Sequence, residues 1–220
     1  GWYDNNKRSL PWRVSKNSSK KLYYRLLSEF MLQQTQVKTV VPYFKKFTKK
    51  FKTQKSLSKS SEKKILKLWE GLGYYRRARN LLATSKILVN KYNSKLPNTI
   101  QEIKTLPGVG DYTANALLGL VHNKAVIAVD GNVKRIFSRI FNKEENKINF
   151  DELIEINQKI LFNSNRNSDF VEALMEFGAL ICKPKEPKCL TCKLNKVCKY
   201  FNSSRKINTN KNIMIENKNY

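Results

Sequence analysis

Apolar residues recur at helical intervals along most of this chain. Between Leu22 and about Lys38 the positions Tyr23, Leu26, Leu27, Phe30 and Met31 repeat at three- and four-residue steps, which predicts an amphipathic helix. Glu29 and Gln33 stand four apart on it and share a side, and Gln34 and Thr35 follow beside the buried stripe. A run from Glu62 to Trp69 predicts another helix, with Ser60 or Ser61 as its cap and Gly71-Leu72-Gly73 as its end. Past Tyr74 and Tyr75, the residues Ala78, Leu81, Leu82, Ser85 and Leu88 mark the inward face of a longer helix that also carries Arg76, Arg77 and Arg79. A short helix at residues 99–104 leads into Leu106-Pro107-Gly108-Val109-Gly110, and the helix beyond turns Ala114, Leu117, Leu118 and Val121 inward. The next begins at Asp130 with Val133, Ile136, Phe137 and Ile140 inward, and two more are expected over 151–161 and 168–181. No segment sustains a two-residue alternation, so the chain reads as all-α.

Residues 1–181 read as one helical domain with two lobes and a hairpin at 106–110. Within it, Pro11 sets an extended or turn segment in an N-terminal stretch of aromatics and arginines. Pro184, Pro187 and four cysteines mark a small separate lobe at 182–200, and residues 201–220 form a polar tail that is expected to be disordered.

Charge narrows the choice of partner. Lys and Arg number 43 against 17 Asp and Glu, a net +26 with a pI near 10.0, which points to a polyanion and above all to nucleic acid. A bias toward Lys and Asn accounts for part of the excess, in the tail and on surface helices. No apolar run approaches the roughly 18 to 20 residues that span a bilayer, and no secretory pattern is present, so an intracellular protein, in the cytoplasm or at the nucleoid, is expected, with no membrane partner. A monomer is expected. All four cysteines fall in one stretch, Cys182, Cys189, Cys192 and Cys198, which favours metal ligation over disulfides. The spacing Cys-x6-Cys-x2-Cys-x5-Cys suits either tetrahedral zinc or an iron–sulfur cluster and does not decide between them. Lys183, Lys185, Lys188, Lys193 and Lys196 interleave with these cysteines, so a metal-bound loop here would also meet phosphates.

Two further patterns carry chemistry. A Pro-Gly-x-Gly hairpin between helices leaves amide N–H groups bare at the next helix start, where a phosphate binds. Such a grip reads the backbone of a nucleic acid and positions without specifying. Asp130 before Gly-Asn-Val has the setting of a helix N-cap, and Glu29 beside an apolar stripe has that of a solvated residue. Beside a phosphate grip, however, two carboxylates in different environments are what cleavage of a glycosidic bond needs: an acid for the leaving group and a charge near the oxocarbenium-like carbon.

These motifs resemble those of a known group. Leu106-Pro107-Gly108-Val109-Gly110, followed by Val129-Asp130-Gly131-Asn132-Val133-Lys134-Arg135 and the four-cysteine spacing, resembles the helix-hairpin-helix DNA glycosylases of the endonuclease III superfamily. Ser28-Glu29-Phe30-Met31-Leu32-Gln33-Gln34-Thr35-Gln36-Val37, the run from Leu68 through Gly71-Leu72-Gly73-Tyr74-Tyr75 to Leu81, and Leu10-Pro11-Trp12-Arg13 narrow the resemblance to the adenine DNA glycosylase (MutY) family over about residues 2–200. The resemblance implies one [4Fe–4S] cluster on the cysteines and, as substrate, duplex DNA with adenine mispaired with 8-oxoguanine or guanine. It implies that Glu29 protonates adenine at N7 and then assists the attacking water, that Asp130 stabilises the oxocarbenium ion, and that Tyr112 and Asn132 support both. Glu172 matches a position that contacts the flipped adenine, while Arg8, Trp12 and Arg13 match the wall of that pocket. Gln34, Thr35, Leu72 and Tyr74 match residues wedged into the duplex, and Gly108, Val109 and Gly110 match the backbone grip.

One position separates neighbouring activities. Bifunctional members of the superfamily carry a lysine two residues after the second hairpin glycine; Tyr112 stands there, and a phenol forms no Schiff base, so a monofunctional enzyme is expected. The chain also departs from the family pattern: the segment from Arg13 to Glu29 is longer, Leu26 replaces a tryptophan, and a polar tail stands where family members continue into a Nudix-like domain that helps recognise 8-oxoguanine. Two other readings compete: a glycosylase for another mismatched base, such as thymine opposite guanine, and a catalytically inactive DNA-binding protein of the same fold.

Overall fold

The computed structural model describes residues 1–162 and 165–203, without the side chains of 156–161. The described residues are helical and contain no β-strand, in agreement with the all-α expectation. The expected disorder of the tail falls mostly on residues 204–220, outside the described part; residues 201–203 belong to a short helical turn that begins at 199.

The chain divides into two compact units. The larger comprises residues 8–128 together with 164–168. Its helices are α2 (Lys21–Leu32), α3 (Val37–Lys50), α4 (Gln54–Ser58), α5 (Glu62–Trp69), α6 (Arg76–Lys91), α7 (Ile100–Lys104) and α8 (Asp111–His122), and α1 (Trp2–Asn6) belongs to the other unit. At the centre of the larger unit lies α2, which packs on α3, α6 and α8. Eight of its residues, including Arg25, Ser28 and Glu29, are buried, because neighbours cover it on more than the apolar stripe. Leu26, Leu27, Phe30 and Met31 are fully enclosed in a core with Phe44, Phe47, Trp69, Leu81 and Leu117. Leu26, the departure from the family pattern, is thus a core residue.

The expected helix 22–38 is in fact two. It stops at Leu32, Gln33 turns out of helical geometry (ψ 113), Gln34 takes a left-handed φ of 55, and α3 starts at Val37. Gln33 therefore does not share a helix face with Glu29. The cause is tertiary: the buried Arg77 guanidinium draws off the last carbonyls of α2, as described below. Ser61 caps α5 through Lys64 N–H, and Thr99 caps α7 through Glu102 N–H.

The second unit comprises residues 1–7, 129–163 and 169–220. It holds α1, α9 (Gly131–Phe141), a 3₁₀ turn at Glu145–Lys147, α10 (Phe150–Leu161), α11 (Asn167–Leu180, shared at its first turn with the larger unit) and the cysteine segment. It buries Val133, Ile136 and Val171, and pairs aromatic rings. Phe137 meets Phe150 edge-on at 5.6 Å, and Trp2 of α1 meets Phe177 of α11 at 5.0 Å, which ties the N-terminal helix down.

Candidate active site

In the larger unit the hairpin enters α8. Val109 N–H closes its turn onto Leu106 O (3.1 Å), and Gly108 takes φ 78, where a Cβ would stand 2.5 Å from Asn80 Nδ2. Any other residue at 108 is therefore strained. Gly110 differs: its backbone is extended (φ −96, ψ −175) and a Cβ there would meet nothing within 4 Å. Glycine at 110 keeps open space beside the α8 N-terminus, which no side chain caps. Close approach of a neighbour therefore bears on Gly108 and not on Gly110. Thr84 Oγ donates to Pro107 O and Gln33 Nε2 to Gly108 O, so α6 and the end of α2 both brace the hairpin.

The same unit places Glu29, 6% exposed, on the central helix α2, and Tyr112, half-buried, on the first turn of α8. Gln34 and Tyr74 are exposed, Tyr74 at 63%, and both have left-handed backbone. Thr35 is half-buried beside Gln34. Leu72 and Val109 are buried in the core, so the backbone around them, more than their side chains, faces outward. Trp12 is also buried and meets Phe44 edge-on at 5.3 Å. Arg8 and Arg13 are half-buried and joined, Arg13 Nη1 donating to Arg8 O at 2.8 Å.

In the second unit Asp130 is the N-cap of α9. Its Oδ1 accepts from Val133 N–H and its Oδ2 from Asn132 Nδ2, both at 2.8 Å. Asn132 Oδ1 in turn accepts from Arg135 Nη2 (2.7 Å), whose guanidinium also donates to Gly178 O and Cys182 O. Gly178 makes this possible, since a Cβ there would stand 2.5 Å from Asn132 Cβ. Glu172 on α11 is buried at 7% and accepts a hydrogen bond from the Tyr3 hydroxyl of α1. Arg77, Arg135, Gly178 and Tyr3 were missed by sequence reasoning. A cation in register with the apolar stripe, as Arg77 is with Leu81, Thr84 and Leu88, is the one signal that could have exposed any of them.

Residues 27–161 match the family described as HhH-GPD superfamily base excision DNA repair protein. The chain belongs to this superfamily. It is 41% identical over 214 residues to an adenine DNA glycosylase of Buchnera aphidicola subsp. Baizongia pistaciae, covering 96% of this chain and 60% of that protein. It is 35% identical over 206 residues to the Homo sapiens adenine DNA glycosylase, covering 90% of this chain and 38% of that protein. The chain thus spans less than two thirds of the length of these relatives. Among solved structures it resembles a thermostable thymine-DNA glycosylase at a TM-score of 0.78 and 29% identity, with 92% of each chain covered.

In this HhH-GPD protein the four cysteines line one cavity, together with Ile181, Pro187, Asn195 and Phe201. Burial pushes the thiols of Cys189 and Cys192 upward, and for Cys189 the three other cysteines add to the rise while Arg139 opposes it. Arg139 Nη1 donates to Cys182 Sγ at 3.4 Å, and the Cys198 thiol donates to Arg139 O at 3.5 Å. Among the described residues no group of three or more His, Cys, Asp or Glu is placed to hold a single metal ion. No helix among the described residues is long and apolar enough to cross a membrane.

Proposed function

We propose that the chain is the catalytic part of an adenine DNA glycosylase, acting on duplex DNA in which adenine is mispaired with 8-oxoguanine or guanine. The observation that carries this reading is Glu29: a carboxyl group 6% exposed on the central apolar helix, the kind of setting in which such a group serves as a general acid. In the proposed reaction Glu29 delivers a proton to adenine N7, the bond from N9 to C1′ breaks, and water adds to C1′ with Glu29 accepting its proton. Adenine and an abasic site are the products. Asp130, held on both oxygens, supplies the negative charge that faces the developing oxocarbenium ion. Glu172 contacts the extruded base, Arg8 and Arg13 line its pocket, and Asn132 and Tyr112 hold the acting groups. Trp12, being buried, supports that wall from behind. Gln34, Thr35 and Tyr74 fill the space left in the duplex above the buried Leu72, while the hairpin of Gly108, Val109 and Gly110 grips a phosphate through the amides at the start of α8, Val109 N–H itself being held by Leu106 O. The net charge of +26 supports a DNA partner.

The cysteine lobe fits a [4Fe–4S] cluster. Four thiols lining one cavity suit a group whose four irons each take one thiolate; the same donors would also suit a single zinc, and the relatedness to the base-excision glycosylases favours the cluster. Cys182, Cys189, Cys192 and Cys198 would hold it, and the cluster would supply the covalent cross-links that fix this lobe.

A second reading is favoured by the likeness to the thymine-DNA glycosylase structure: excision of thymine opposite guanine. The higher identity to adenine enzymes, 41% over 96% of the chain, supports adenine. Duplexes with A opposite 8-oxoguanine, A opposite G, and T opposite G, incubated with the protein and then treated with alkali, separate the readings. Strand breaks at adenine are expected; breaks only at thymine would establish the second reading, and none at any base would leave a DNA-binding protein.

A further inference from the structure

Arg77 is given no task by the reaction, yet it is the most heavily engaged cation in the larger unit. It stands at the second position of α6 with 7% of its surface exposed. Its Nη1 donates to the carbonyls of Met31 (2.8 Å), Phe30 (3.4 Å) and Gln33, and to Thr35 Oγ1 (3.0 Å). Its Nη2 donates to the carbonyls of Leu72 and Gly73, both at 3.1 Å. The guanidinium also lies over the rings of Trp69 and Tyr74, 5.4 and 5.3 Å from their centroids. One planar fork thus joins two segments far apart in sequence, a geometry that a lysine ammonium cannot reproduce.

Both segments have unusual backbone. Gln34 has φ 55 and Tyr74 φ 48, conformations that non-glycine residues hold only when their surroundings impose them. The second segment is further pinned where Trp69 Nε1 donates to Gly73 O and the Tyr43 hydroxyl to Glu70 O, both at 2.9 Å. Arg77 collects the carbonyls of both segments toward the interior, so their dipoles do not present oxygen to an approaching phosphate. The residues left outermost are Gln34 and Tyr74.

We propose that Arg77 is a positioning residue for base extrusion: a single buried guanidinium locks the turn after α2 and the loop before α6 so that Gln34 and Tyr74 meet the duplex as one rigid wedge. This rests on the glycosylase reading above. Arg77 itself touches neither base nor sugar. A buried cation without an acidic partner is a costly way to brace two loops, and apolar packing would hold them more cheaply. What the fork adds is a fixed geometry at both turns.

The test uses the full chain with Arg77→Lys and Arg77→Ala, titrated by fluorescence anisotropy with a duplex carrying A opposite 8-oxoguanine and with its fully paired counterpart. Preference for the mispaired duplex should fall about tenfold or more in both variants, the scale of lost hydrogen bonds to a charged group. Affinity for the paired duplex, carried by phosphate contacts elsewhere, should stay within about twofold. Methylguanidinium added to the assay should return part of the preference to Arg77→Ala and none to Arg77→Lys. Equal weakening on both duplexes would reduce Arg77 to a structural brace, and an unchanged preference would overturn the inference, as would a wild-type chain with none. If Arg77→Ala does not fold, Arg77→Lys decides. A wild-type chain that prefers the mispair but excises no adenine would sink the glycosylase reading while leaving Arg77 to be judged on preference alone.

Discussion

Replacing Gly108 and Gly110 singly by alanine separates what the hairpin needs to fold from what it needs to hold DNA. At Gly108 the backbone has φ 78, and a Cβ would stand 2.5 Å from Asn80 Nδ2, 2.8 Å from its Cβ and 3.0 Å from its Cγ. Left-handed backbone costs an L residue about 1–2 kcal/mol, and forcing Asn80 aside adds about 1–3 kcal/mol of overpacking. The loss of about 2–5 kcal/mol corresponds to a fall of roughly 5 to 15 °C in the thermal midpoint of a chain this size. At Gly110 the backbone is extended and the Cβ position is open. Alanine is a poorer N-cap than glycine by up to about 1 kcal/mol, but it also lowers the entropy of the unfolded chain by about 0.4–1 kcal/mol, so the two effects nearly cancel. A methyl group there nevertheless sits beside the uncapped amides of α8 and holds a phosphate off them, with a loss of about tenfold or more in affinity. That loss should be the same for paired and mispaired duplexes, since the grip reads the backbone. Circular dichroism melts and anisotropy titrations at fixed salt measure both quantities. If Gly110→Ala binds DNA as the wild type does, or Gly108→Ala melts at the wild-type temperature, the two glycines do not divide these tasks.

Asp130→Asn keeps a side-chain oxygen for Val133 N–H but turns an amide N–H toward Asn132 Nδ2, so stability in melts should fall by about 1–3 kcal/mol, while single-turnover excision of adenine by the folded protein should be lost. Glu29→Gln should likewise fold and bind the mispaired duplex but release no adenine; substantial excision by either variant would remove that residue from the chemistry. With Tyr112 in the lysine position, borohydride should trap no enzyme–DNA adduct, and efficient trapping would show a Schiff-base route through another amine. Protein purified without oxygen should carry about four irons and four acid-labile sulfides per chain, and Cys192→Ser should lower that content; zinc in their place would overturn the cluster assignment.

Helices whose packing follows a plain stripe were legible from sequence. The predicted run from Glu62 to Trp69 coincides with α5, and the inward residues named for the helix after Tyr75, from Ala78 to Leu88, are all buried. What escaped was set at long range. The end of α2 carries no glycine or proline, and its break depends on Arg77, more than forty positions on. Helix α3 contains Pro42, which argues against a helix in isolation, yet buried Val40, Phe44 and Phe47 outweigh it. The buried pair of Tyr3 and Glu172 joins the two ends of one unit, a separation no local pattern reports. Candidate site residues were legible where chemistry and local structure coincide, as at the hairpin and at Asp130. Their supporting partners were not.

Asp130 shows why the modest reading and the chemical one need not compete. Capping uses one lone pair on Oδ1, for Val133 N–H, and Asn132 uses one on Oδ2. A carboxylate has about four such sites, so two fixed donors leave acceptor capacity while removing the freedom of the group to turn. The brace continues behind it. Asn132 is oriented by Arg135, and Arg135 is oriented by the carbonyls of Gly178 and Cys182, with Gly178 leaving the space that Asn132 fills. A helix start is a rigid platform, and a charge anchored there keeps its direction, as the role proposed for Asp130 opposite a developing positive charge requires. Since Cys182 lies both in this chain of hydrogen bonds and on the wall of the cysteine cavity, the order of the cysteine lobe and the direction of the Asp130 carboxylate are linked through the Asn132 and Arg135 side chains and one backbone oxygen.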